Sequence, residues 1–184
     1  MKFKYLTSIA TALVLMLGFS TAIAGCDSSV SEDNSPTADV VAEKSDVAPP
    51  VYTESFSGFA IRGADPVTYF TEGKPVKGKA EFEHQWNGAT WRFSSQENLD
   101  LFAANPEQYA PQYGGYCAKA VSEGNLASID PEAWKIVDDK LYLNYSPGVQ
   151  QQWSQDIPKS IALGDENWSG VLNGTKVHEN KVDF

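Results

Sequence analysis

The chain contains two cysteines and two histidines, the residue types best suited to metal binding and thiol chemistry. Cys117 stands after a pair of glycines, which allow the chain to turn sharply before it. We expect residues 117–122 to form a helical turn that ends at Gly124, with the thiol at the N-terminus of that turn. Three roles stay open for Cys117: a buried core residue, a ligand of a metal or small molecule, and a redox thiol.

His84 lies in a segment that alternates between apolar and polar residues. Phe82, His84 and Trp86 share one face of the expected strand. A histidine on an apolar face is either a core residue or a ligand, here one that would act together with Cys117. One cysteine and one histidine are too few for a closed zinc site, whereas copper(I) accepts two or three ligands. We expect His178, near the C-terminus, to be solvated.

Four further residues are candidates for lining a ligand pocket: Asp65, Tyr69, Tyr113 and Tyr116. Asp65 precedes a proline, so a role as a turn or capping residue competes with a role in binding. Packing in an aromatic-rich core explains the tyrosines equally well. No third residue is seen that would orient His84 as a base for a thiol nucleophile. A thiol enzyme is therefore the least favoured interpretation.

The first residues of the chain have the order of an export signal. Two lysines precede an apolar run, Ile9–Leu17, which is shorter than the ~20 apolar residues that a membrane-spanning helix needs. The string Ile23-Ala24-Gly25-Cys26 follows and resembles the lipobox of bacterial lipoproteins. We expect residues 1–25 to be a signal peptide. We expect Cys26 to carry lipid that anchors the protein in the cell envelope, facing the periplasm.

Residues 26–51 are predicted to be the lipidated cysteine and a disordered acidic linker. Residues 27–50 hold six acidic residues, one lysine and no aromatic residue, so they cannot bury enough apolar surface to fold. The whole chain has 14 basic and 24 acidic residues, a formal net charge of −10. This charge argues against nucleic acid and anionic lipid head groups as partners. A small ligand or a protein of the envelope remains compatible with it.

Residues 52–170 are predicted to form one domain with two hairpins. Asn87-Gly88 tolerates the positive φ of a tight turn between strands at 81–86 and 89–93. Asp138-Asp139 is expected to join the strands of a second hairpin, residues 134–137 and 141–144. Ser94 precedes Glu97 by three residues, the spacing of a capping box, which predicts a helix capped by Ser94.

The rest of the domain is predicted to contain both strand and helix. We expect a strand at residues 56–61 and short helices after Pro106, after Ser146 and before Trp168. Residues 171–184 are polar and are predicted to be a loose C-terminal tail. The predicted fold class is therefore α+β, a single small domain with short antiparallel hairpins and several short helices.

Several short strings within residues 56–168 together resemble the YHS domain family. The strings are Asp65-Pro66-Val67, residues 86–95, Phe102, Asn105-Pro106 with Tyr109, residues 113–118 and residues 141–145. The last two are similar to a bacterial exported branch of the family. Family members occur beside copper-transporting ATPases and some oxygenases and are thought to bind metal through cysteines.

The resemblance also marks three positions at which the family pattern carries cysteines. One follows Asp-Pro-Val, and two follow the central phenylalanine, at the next position and four residues later. This chain has Thr68, Ser94 and Asn98 there. Soft metal sites need thiolate or imidazole ligands. We therefore expect no metal at these three positions.

Three functions are compatible with the sequence. The favoured one is a membrane-tethered envelope module that binds copper, zinc or a small ligand, with Cys117 and His84 as the candidate ligands. The alternative is a metal-free structural or partner-binding module. The third is a thiol-based redox enzyme.

Overall fold

The structure, a computed structural model, describes residues 47–55 and 57–184. The expected signal peptide, Cys26 and most of the expected linker lie outside the described residues. In chain order the elements are α1 Thr68–Thr71, β1 Lys79–Trp86, β2 Ala89–Phe93, α2 Gln96–Ala104, α3 Pro106–Tyr109, α4 Ala118–Ser122, β3 Leu126–Ala127, β4 Asp130–Val137, β5 Lys140–Asn144, α5 Pro147–Trp153, α6 Ile157–Val171 and β6 Val177–His178. Helices and short hairpins are mixed, which confirms the predicted α+β class.

Both predicted hairpins are present and antiparallel. β1 pairs with β2 through the turn Asn87-Gly88, and both turn residues have positive φ. β4 pairs with β5 through Asp138-Asp139, again with positive φ at both residues. Along β1 the even-numbered side chains from 82 to 86 are half-buried, whereas the odd-numbered ones are exposed. The period-2 pattern therefore predicted the buried face correctly.

Two helices begin at a capping serine, and at one of the two helices this serine is not the predicted one. Ser146 accepts a hydrogen bond from the Val149 amide at the start of α5. At α2 the N-cap is Ser95, which accepts from the Asn98 amide. The prediction that Ser94 caps this helix is wrong by one residue, because the Ser94 hydroxyl donates elsewhere. Both caps satisfy amides that the first helical turn leaves unpaired.

Two predicted elements differ from the structure. The expected strand before residue 61 is reduced to single bridges, Thr53 with Ala60 and Phe59 with Thr90. The chain then turns through Ile61–Gly63 with positive φ at all three residues, which a continuing strand does not allow. The short helix expected before Trp168 is the 15-residue α6, which includes that tryptophan.

The C-terminal tail, expected to be loose, is bonded to the domain. β6 pairs in parallel with β3, and the Ser128 amide donates to the His178 carbonyl. The Asn180 side chain donates to the Tyr145 carbonyl at 2.6 Å. The expectation of a loose tail is therefore wrong, because the polar groups of the tail have partners far away in the sequence.

One aromatic-rich core connects these elements. Its largest fully buried side chains include Trp91, Trp153, Phe93 and Phe102. The N-terminal end of the described chain is part of the same body, because Val51 and Tyr52 are buried and the Ala48 amide donates to the Leu172 carbonyl. No helix in residues 47–55 and 57–184 is long and apolar enough to cross a membrane.

Candidate functional site

Asp65 is the centre of a buried polar cluster that joins distant parts of the chain. Its side chain is fully buried, and its carboxylate accepts four hydrogen bonds. The Val67 amide donates to Oδ1 at 2.9 Å. The Ser94 amide and hydroxyl donate to Oδ2 at 2.8 and 2.7 Å, and Asn98 Nδ2 donates to the same oxygen at 2.7 Å. The turn or capping role considered for Asp65 is present, since Val67 lies two residues after it.

The three positions at which the family pattern carries cysteines all contact Asp65. Ser94 and Asn98 bind its carboxylate, and the Thr68 hydroxyl donates to its main-chain carbonyl at 2.9 Å. These side chains present N–H and O–H hydrogens toward an oxygen atom. A metal ion requires lone pairs at its ligands and prefers thiolate or imidazole if it is copper(I) or zinc. The residues at these positions therefore do not fit the family's metal.

Cys117 lies where the sequence placed it, at the N-cap of α4, but inside the core. Only 1% of the residue is exposed. Its sulfur accepts from the Tyr145 amide at 3.3 Å, and its own amide donates to the Ala127 carbonyl. Burial raises the pKa of the thiol, and the amides of Ala120, Tyr145 and Lys119 act in the opposite direction. The neutral thiol is favoured over the thiolate that would be needed for nucleophilic attack or metal binding.

Asn144 is a neighbour of Cys117 that the sequence reading did not single out. The Cys117 sulfur lies 3.9 Å from Asn144 Oδ1, and the Lys119 amide donates to the same oxygen at 3.3 Å. Asn144 Nδ2 is buried and has no hydrogen-bond partner among the described residues. The side chain therefore helps to hold the first turn of α4. The signals in the sequence were its place at the end of a buried strand and within the string of residues 141–145 that resembles the family.

His84 lies on the half-buried face of β1, as predicted. It stands opposite Trp91 in the hairpin, and its ring lies 6.2 Å from the Phe102 ring, edge to face. Within the described residues, the pairing and ring contacts of His84 are with Trp91 and Phe102, whereas the hydrogen bonds of Cys117 involve Ala127, Asn144 and Tyr145. Within the described residues, no group of three or more His, Cys, Asp or Glu side chains is arranged to hold a metal ion.

The three candidate tyrosines are all buried, and the hydroxyl group of each has a different partner. Tyr69 donates to the Pro131 carbonyl at 3.1 Å. Tyr113 donates to Asp165 at 3.0 Å, and Tyr116 donates to the Pro49 carbonyl at 3.0 Å. Burial raises the pKa of each phenol, that of Tyr116 to about 12. Each hydroxyl is used to fix a neighbouring segment, so packing accounts for all three.

A cleft lined by three tryptophans borders on two of these tyrosines, because its lining residue Trp168 packs against the rings of Tyr113 and Tyr116. Its volume is about 190 Å³. It is bounded by the tip of the β1–β2 hairpin, the loop after α3, the end of α6 and the first described segment of the chain. The lining residues are Pro50, Val51, Trp86, Asn87, Trp91, Ala110, Pro111, Gly114, Trp168 and Leu172. None of them is charged. The sequence could not reveal this cleft, because its walls come from four separate segments.

Comparison with known proteins identifies one family. Residues 67–113 match the family model of the YHS domain. The matched segment begins just after Asp65 and includes Thr68, Ser94 and Asn98, the positions at which the family pattern carries cysteines. Searches of curated proteins and of solved structures returned no significant match to the chain.

Proposed function

Starting from the YHS match of residues 67–113, we propose that this protein is a small-ligand binding module, tethered by lipid on Cys26 to a membrane of the bacterial cell envelope. The observation that carries the binding function is the tryptophan-lined cleft. The tether rests on the order of the N-terminal signal and on the small residues before Cys26. The polar cluster around Asp65 and the burial of the Cys117 thiol both argue against a metal-binding function.

The size and chemistry of the cleft limit its ligand. A cavity of about 150 Å³ holds benzene, whereas pockets for drug-sized molecules begin at about 300 Å³. The 190 Å³ of this cleft therefore suits a single ring. Its uncharged lining, in a chain with a formal net charge of −10, favours a neutral molecule.

The tryptophans of the cleft favour a ligand that carries a hydrogen-bond acceptor. Trp91 is buried, and its indole N–H donates to the Trp86 carbonyl at 3.1 Å. The half-buried Trp86 and Trp168 have no hydrogen-bond partner for their indole N–H groups in the described part of the chain. Such groups gain by meeting an acceptor on a ligand. A neutral aromatic ring that carries a carbonyl or ether oxygen meets these conditions.

Binding is tested by adding benzamide to the full chain with Cys26→Ala, with the tryptophan indoles observed by NMR. We expect shifts of the Trp86 and Trp168 indole signals, with a dissociation constant on the order of 1 mM, as for a ring of this size. Trp168→Leu should weaken binding at least tenfold. Trp134→Leu is the matched control, because Trp134 is also half-buried but packs on Tyr69 outside the cleft. Equal losses in both variants, or no shifts at all, would refute the ligand proposal.

The tether is tested separately by cell fractionation. Cys26→Ala should move the protein from the membrane fraction to the soluble fraction, or leave it unprocessed, because the acyl chains that anchor it cannot be added. The wild-type chain should gain the mass of the lipid at Cys26. Unchanged membrane association of the variant, together with an unchanged mass of its processed form, would refute the tether and leave the cleft proposal standing.

Copper or zinc bound by Cys117 and His84 is the alternative function. Its test is anaerobic copper(I) titration of the same Cys26→Ala chain, followed by dialysis and elemental analysis. Under our proposal the chain retains less than one equivalent. One retained equivalent that Cys117→Ser abolishes would replace our proposal by the metal-binding function.

A further inference from the structure

We infer that Asp65 replaces a metal as the cross-link of this YHS domain. Its carboxylate and main-chain carbonyl join the positions at which the family pattern carries cysteines, so that the domain is stable without any bound metal. This inference is independent of the proposed ligand cleft and of the lipid tether. It concerns three positions at which the family pattern carries cysteines and this chain does not: Thr68, Ser94 and Asn98.

The geometry of the cluster is that of a cross-link between two segments. Asp65 lies in the turn before α1, and Thr68 is the first residue of that helix. Ser94 and Asn98 lie 29 and 33 residues after Asp65, at the start of α2. Oδ2 alone accepts three hydrogen bonds, and Asn98 Nδ2 lies 3.2 Å from the Ser94 hydroxyl as well. All donors are therefore oriented by one buried acceptor group.

The direction in which the hydrogen-bond donors point excludes a cation held by oxygen ligands at this cluster. Two of the groups on Oδ2 are N–H donors, the Ser94 amide and Asn98 Nδ2. The hydrogens of these groups point at the carboxylate, where they would repel a cation. The main-chain amide cannot be reversed without moving the chain. The cluster is therefore complementary to a negative charge.

The energetic argument favours a large contribution from this one residue. Hydrogen bonds to a charged group are stronger than neutral ones, and a buried donor that loses its acceptor costs its full desolvation. Removing the Asp65 carboxylate would leave the Ser94 hydroxyl and amide and Asn98 Nδ2 without their acceptor at once. A cross-link that needs no metal is also unaffected by chelators, in contrast to a thiolate site.

A matched pair of variants tests the inference in the full chain with Cys26→Ala. Asp65→Asn leaves one side-chain oxygen, so an NH₂ group faces either the Val67 amide or the donors that now bond Oδ2. Asp130→Asn is the control, because Asp130 also precedes a proline and accepts from the amide two residues later, at 2.9 Å from Glu132. We expect Asp65→Asn to lower the melting temperature by roughly 10 °C more than Asp130→Asn does.

Chelator and reductant give the second readout. The melting temperature of the parent chain should be the same in buffer, in EDTA and in a thiol reductant. If Asp65→Asn does not fold, Asn98→Ala replaces it, with Asn125→Ala as control because Asn125 is exposed and bonds only locally. The inference is overturned if the Asp65 (or Asn98) variant melts no lower than its control, or if EDTA lowers the melting temperature of the parent chain.

Discussion

Cys117 shows how the surroundings of a single side chain decide its chemistry. A thiol at a helix N-terminus can have its pKa lowered by the dipole. Here α4 has only five residues, and burial is the largest influence on the pKa, which it raises. The sulfur accepts a hydrogen bond from the Tyr145 amide and lies within the core. The residue is therefore placed to hold α4 against β5 as a neutral group.

We predict that Cys117 reacts slowly with thiol reagents in the folded protein. In the chain with Cys26→Ala, where Cys117 is the only cysteine, labelling by a disulfide reagent at pH 8 should be on the order of 100-fold slower than that of a free thiol. The same chain in denaturant serves as the control and should react fully. Rapid labelling without denaturant would favour the redox-enzyme interpretation.

At the level of elements, a glycine on α6 allows that helix to pack against Tyr113. A Cβ atom at Gly164 would lie 2.5 Å from the Tyr113 hydroxyl oxygen and 2.7 Å from the ring carbon that bears it. That hydroxyl donates to Asp165 and to the Ile161 carbonyl, so it is not free to move away. The close approach explains a residue that is otherwise unfavourable inside a helix.

We predict opposite effects for two glycine substitutions in the same helix. Gly164→Ala should lower the free energy of unfolding by about 1–3 kcal/mol, because overpacking outweighs the better helix propensity of alanine. Gly170→Ala should raise it by up to ~1 kcal/mol, since within the described residues the added Cβ would meet no atom within 4 Å beyond its chain neighbours and the backbone of its own helix. Urea unfolding measures both values. Stabilisation by Gly164→Ala would show that Tyr113 is not fixed.

The C-terminal segment depends on one asparagine that uses all its polar groups. The Asn180 amide donates to Ser128 Oγ, and its side-chain NH₂ donates to the Tyr145 carbonyl. Its side-chain oxygen accepts from Arg62 at 2.6 Å and from the Ser128 hydroxyl at 2.7 Å. Arg62 is itself buried, and it also donates to the carbonyls of Ile129 and Val182.

We predict that Asn180→Ala releases the tail and costs about 2–3 kcal/mol of stability, because a buried guanidinium loses an acceptor. Trypsin should then cleave after Lys176 and Lys181 much faster than in the parent chain. Asn173→Ala is the control, since Asn173 is exposed and near the start of the same tail. Equal protection in both variants would mean that the backbone pairing of β6 holds the tail by itself.

At the scale of the whole molecule, the part of the chain that the structure describes contains five tyrosines whose pKa burial raises. They are Tyr52, Tyr69, Tyr113, Tyr116 and Tyr142. Burial also raises the pKa of Cys117. A group whose pKa is higher in the folded state binds its proton more tightly there. Its stabilising effect is complete below the unfolded pKa and is lost as the pH rises through the folded pKa.

We predict that the protein loses stability in alkaline solution. The urea midpoint should begin to fall above about pH 8.5 through Cys117 and should fall steeply above about pH 10, where unfolded tyrosines ionise. Tyrosinate absorbance should rise together with the loss of tertiary structure. Tyr113→Phe should make the fall less steep. Ionisation of the tyrosines near pH 10 without unfolding would contradict the buried positions of their hydroxyl groups.

The sequence by itself determined those features that depend on neighbours in the chain. Both hairpins follow from turn dipeptides between alternating segments, and the helix after Ser146 follows from a cap and a proline. The alternation of apolar and polar residues also predicted correctly that His84 lies on the half-buried face of β1. The three positions at which the family pattern carries cysteines were identified through the resemblance to that pattern.

The tertiary structure decided which distant polar groups become partners. Asp65 meets Ser94 and Asn98 about thirty residues away, and Asn180 meets Arg62 across 118 residues. A hydroxyl such as that of Ser94 can cap the adjacent helix or bond a remote carboxylate, and only the packed core brings that carboxylate near. An unpaired polar group is costly only where it is buried, and the whole fold decides which groups are buried. The periodicity of the sequence therefore carries no information about such pairings.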